Sequence, residues 1–88
     1  MNLSDAKHGY RRVLAEVAAL AASGEVSEDR LADARRRLDA VRKSAMRQID
    51  LYTTRPHNSV NSRRGLTIKL EQLHEQAHAE LRAIVPGR

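Results

Sequence analysis

The stretch from Ser27 to Thr54 constrains the fold most. Leu31, Ala34, Leu38, Val41, Ala45, Ile49 and Tyr52 recur at steps of three or four, which sets them on one stripe of a helix. Ser27 suits an N-cap, and Glu28 and Asp29 follow where the positive end of the helix dipole favours acids. Pro56 sets the far limit, because the residue before a proline avoids helical geometry. At about 1.5 Å per residue the helix over 27–54 is roughly 40 Å long, so shorter helices must pack along it.

A first helix is expected over 4–22. Leu3, Ala6, Tyr10, Val13, Val17 and Leu20 step by three and four, a heptad-like seam. Gly9 weakens its early part by up to about 1 kcal/mol relative to alanine. Ser23-Gly24 stops it, since glycine takes the left-handed geometry that closes a helix. A third helix is expected over 62–85, with Leu66, Leu70, Leu73, Ala77, Leu81 and Ile84 as its stripe and Pro86-Gly87 as its end. Either Asn61 or Ser62 would cap it. A connector over 53–64, rich in turn formers, joins the second helix to the third.

These elements predict one all-α domain over 1–88, a three-helix up-down-up bundle with a long central helix. The stripes are narrow and the central helix outruns the first. One of its ends is expected to stay uncovered, hence a homodimer through helix packing or docking on a partner. The core must be aliphatic, because the chain has no Trp or Phe and only Tyr10 and Tyr52 as aromatics. Without cysteine there is no disulfide and no thiolate metal site. Charges at Asp5, Lys7, Arg11, Arg12 and Glu16 interrupt any signal-peptide core, and no apolar run could cross a bilayer. A cytoplasmic protein with no membrane contact is expected.

The net charge is +5. Residues 1–26 and 66–88 are each balanced, the central helix carries +2, and residues 55–65 carry +3 from Arg55, Arg63 and Arg64 with no acid. On the central helix the bases have acids at helical spacing: Asp33 can reach Arg36 and Arg37, Asp39 can reach Arg35, Arg42 and Lys43, and Asp50 can reach Arg47. Such a face reads as solvated and internally paired. The connector differs. Arg63 and Arg64 would fall in the first turn of the third helix, beside the positive end of its dipole, an arrangement that suits a bound anion. The candidate phosphate-binding set is therefore Arg55, His57, Asn58, Asn61, Ser62, Arg63, Arg64 and Lys69.

Ser62-Arg63-Arg64-Gly65-Leu66 also resembles a segment that opens a helix in one family of small, basic, helical proteins of the bacterial small ribosomal subunit, which bind rRNA. The likeness covers five residues of 88. Where that family has histidine and aspartate, this chain has Val60 and Asn61. The resemblance implies that Ser62, Arg63 and Arg64 face an RNA backbone.

His74-Glu75-Gln76-Ala77-His78 is the H-E-x-x-H string of zinc metalloproteases. On a helix its histidines share a face and can bind one zinc, with the glutamate as general base. A catalytic zinc needs a third ligand, and only His8, His57 or a distant acid is available, in no recognisable spacing. The string is therefore read as helix-surface histidines, with His74 and His78 as weak metal candidates. No cofactor is implied. No cysteine nucleophile, G-x-S-x-G elbow or P-loop is present, and no catalysis is expected. Two readings follow: a small basic protein contacting nucleic-acid phosphates through residues 55–64, or a helical protein–protein interaction module with no nucleic-acid role.

Overall fold

The computed structural model describes residues 3–53 and 60–84, and of residues 60–62 it describes the backbone alone. Three helices account for the described chain: α1 (Ser4–Ala22), α2 (Glu28–Thr53) and α3 (Val60–Ile84). All three pack against one another in an all-α bundle, and no strand occurs among the described residues. The bundle is a rod of 51 × 17 × 16 Å. No helix among the described residues is long and apolar enough to cross a membrane.

The α1–α2 turn is built as the sequence predicts. Gly24 has φ +74°, Glu25 N–H donates to the Leu20 carbonyl at 2.9 Å and Gly24 N–H to that of Ala21 at 3.2 Å. That double closure satisfies carbonyls the helix end would otherwise leave open. Ser27 then caps α2, its Oγ accepting the Arg30 N–H at 3.3 Å.

The core is the three stripes facing inward. Leu38, Ile49 and Leu70 are fully enclosed, with Tyr10, Val13, Val17, Leu31, Ala34, Ala45, Ala77 and Leu81 around them. Leu14 joins this core although it lies off the heptad-like positions of α1. Val41, Leu66, Leu73 and Ile84 pack at its edge, half-buried.

One expectation is corrected. α3 begins at Val60, not near 62, so the backbone of Asn61 and Ser62 lies within its first turn. Nothing in Val60-Asn61-Ser62 breaks a helix, and the backbone runs on through them. α3 packs along α2 and Ile49, near the far end of α2, is 0% exposed, while Leu51 beside it is 65% exposed.

Candidate functional site

Two features stand out on this rod, a basic end and a His–Asp cluster at mid-length. Both follow from the register between α2 and α3. Asp50 meets Arg63, Arg42 meets Glu71 and Asp39 meets His74. Moving back eight and then three residues on α2 is matched by moving forward eight and then three on α3, as antiparallel helices of equal rise require.

These contacts correct the expected charge pairing along α2. Of the expected pairs, Asp33–Arg36 alone forms among the described residues, at 3.6 Å. Arg37 instead crosses to Glu16 of α1. Arg42 crosses to Glu71 of α3, with Nε donating to Oε1 at 2.7 Å. The bond to Arg37 holds the Glu16 carboxyl below its usual range, and the bond to Glu71 raises Arg42 further. Contacts between helices win because each side chain already lies along the seam it bridges.

At the basic end the predicted residues divide. Arg55, His57 and Asn58 lie outside the described residues, as do the side chains of Asn61 and Ser62. Arg63 is compensated. Its Nη2 lies 2.7 Å from Asp50 Oδ1, an oxygen sealed from solvent that receives no aligned hydrogen bond among the described residues. The guanidinium charge is what balances it. Arg64 and Lys69 are exposed and make no ion pair among the described residues. Five apart on a helix, they point about 140° away from each other and do not share a face.

Two bases outside the predicted set belong here. Asp50 is taken by Arg63, so Arg47 lacks its expected partner. Lys43 is likewise exposed, since Asp39 turns to the histidines. By the register, Arg47 and Arg64 sit within one helical turn of each other along the rod. Residues 43–70 hold six bases and one acid, which is the whole net charge of +5; the other ten bases and ten acids cancel. A sum taken over 55–65 alone misses Lys43, Arg47 and Lys69, because only the antiparallel fold brings both helix ends together.

The mid-length cluster joins α2, α3 and α1. His74 Nε2 lies 3.2 Å and His78 Nε2 3.5 Å from the same oxygen, Asp39 Oδ1. His74 Nδ1 is 3.1 Å from the Tyr10 hydroxyl. The two imidazoles meet edge to face with centroids 4.5 Å apart. His74 and His78 are 15% and 23% exposed, more enclosed than the helix-surface histidines the sequence suggested, whereas Asp39 is 65% exposed. Burial pushes the His74 imidazole below the usual histidine range; a charge on His78 would push the same way, while Asp39 opposes it. The acid that meets both histidines of the H-E-x-x-H string lies on another helix, 35 residues upstream of His74. Only the register could have found it.

No protein family, curated protein or solved structure matches the chain. The five-residue likeness at Ser62–Leu66 therefore stays local.

Proposed function

We propose that this protein is a small helical module that contacts nucleic-acid phosphates with the end of the bundle where α2 passes into α3. The carrying observation is that the entire net charge of +5 falls within residues 43–70, the stretch that runs from the later part of α2 into the earlier part of α3. Lys43, Arg47, Arg64 and Lys69 are its exposed bases without an ion pair among the described residues, and Arg55, His57 and Asn58 extend the same basic segment in sequence. Phosphate neutralisation of this kind releases counterions and needs no base-specific pocket. Tyr10 is buried, and Tyr52 is half-buried at the end of α2, so backbone contact is favoured over base stacking.

Fluorescence anisotropy with labelled single-stranded and duplex oligonucleotides tests the reading. Binding at low salt should weaken steeply as salt rises. Replacing Arg47, Arg55 and Arg64 by alanine should flatten the slope of log K against log salt by about 0.7–0.9 for each phosphate no longer neutralised. A wild type that binds neither oligonucleotide at low salt overturns the reading. In that event Leu51 and Ile68, 65% and 50% exposed at the same end, become the starting point for the protein-docking alternative.

A further inference from the structure

The geometry points to a divalent metal site at Asp39, His74 and His78, bridging α2 and α3, for a late first-row ion of the zinc class. One donor atom from each residue lies within 4.8 Å of the other two. Around a tetrahedral ion with bonds of about 2.0–2.2 Å, neighbouring donors are about 3.3–3.6 Å apart. The observed 3.2 and 3.5 Å from Asp39 Oδ1 to the two imidazoles already match two such edges. The third edge, between the two imidazoles, lies within 4.8 Å, and seating an ion closes it to the same span.

Chemistry and surroundings agree. Two imidazoles and one carboxylate suit zinc, cobalt or nickel, and not the oxygen-seeking magnesium or calcium. The exposure of Asp39 leaves a path for the ion and room for water in the remaining position. His74 is oriented from behind. Tyr10 is 4% exposed and its hydroxyl sits on His74 Nδ1. A metal on Nε2 requires the proton on Nδ1, which then donates to the tyrosine oxygen; ligating histidines are commonly steadied by such an acceptor. Arg42, whose charge bears on His74, is already paired with Glu71. Glu75 is exposed and supplies none of the clustered donors. The site is read as a clamp between helices that closes the α2–α3 seam, with no hydrolytic role.

The test is a titration of the untagged, chelator-treated 88-residue chain with zinc chloride, followed by calorimetry, and with cobalt, followed by its visible ligand-field bands. One ion should bind per chain, and zinc should raise the thermal midpoint. Tyr10→Phe should weaken binding by about tenfold or more. Asp39→Asn and His78→Gln, both on exposed or half-exposed positions that the fold tolerates, should weaken it further and abolish the thermal shift. Circular dichroism confirms that each variant is helical. Nitrogen-15 shifts of His74 should show its Nδ1-protonated tautomer appearing only with metal. Unchanged affinity in Asp39→Asn overturns the proposal, since the histidine pair alone would then account for binding. So does an equal loss on replacing His8 or His57, which lie outside the cluster.

Discussion

Arg63 Nη2 rests 2.7 Å from Asp50 Oδ1, so the last turns of α2 and the first of α3 are tied across the connector by opposite charges. This pair neutralises one of the guanidinium groups otherwise open to an anion. Asp50→Asn should release it. Both side chains are about half exposed, so the stability lost should stay below about 1 kcal/mol. If phosphates are the ligand, oligonucleotide affinity should rise several-fold and the salt slope should steepen by about 0.7–0.9. Unchanged or weaker binding in anisotropy would take Arg63 out of the contact surface.

Gly9 faces Val41 at the α1–α2 crossing. A Cβ there would lie 3.0 Å from Val41 Cγ2 and 3.2 Å from Cγ1. Helix propensity alone favours Gly9→Ala by up to about 1 kcal/mol. Against it, both methyls are in the way, and valine in a helix has essentially one rotamer into which to retreat. Overpacking costs about 1–3 kcal/mol, so the net effect should be destabilising, by roughly 1 kcal/mol. Urea unfolding should show Gly9→Ala below wild type, with much of the loss recovered on adding Val41→Ala. A Gly9→Ala variant more stable than wild type would mean the helices part freely there.

The three stripes were legible because period 3.6 is local information, and so were Gly24 and Ser27, whose roles depend on backbone within five residues. Gly9 shows where local information stops. In sequence it is a weak helix residue, whereas in the bundle it is the place where α2 comes close. The charges show the same limit. Asp39, Arg42 and Asp50 have plausible partners along α2, yet all three find theirs on α3. Choosing between them needs the register of two helices, which a single-helix pattern does not contain. The matched spacing of 39, 42 and 50 against 74, 71 and 63 was the available signal. That spacing supplies both the third donor for the histidines and the true extent of the basic end.

Leu38 is 0% exposed at the middle of α2. Leu38→Ala removes three carbons from a rod only 17 × 16 Å across, with little second layer to collapse inward. A loss of about 2–5 kcal/mol is expected. A chain this small has a total stability of roughly 4–13 kcal/mol, so the variant should melt far below wild type. Leu51→Ala, on the 65% exposed leucine, should change the midpoint little. Similar midpoints for the two variants would place the core elsewhere.

Tyr10 supplies the pH dependence at the alkaline end. Its burial pushes the phenol from 10.0 up to about 12; Arg42 pulls it back, while Glu71 and Asp39 push it further. The folded state therefore prefers the protonated phenol more than the unfolded chain does. Stability from this source is whole below pH 10 and drains away as pH climbs through 12, by an amount of the order of 3 kcal/mol. Tyr10→Phe gives up the hydrogen bond to His74, at about 1 kcal/mol near neutrality, but has no phenol to ionise. Its stability should fall less steeply than that of wild type between pH 10 and 12. The difference between the two proteins isolates Tyr10 from every other group. Ultraviolet titration should show one phenolate forming only near pH 12, together with the loss of helical dichroism. A Tyr10 that ionises near pH 10 while the helices remain intact would show that the hydroxyl is open to water, and the support it gives His74 would go with it.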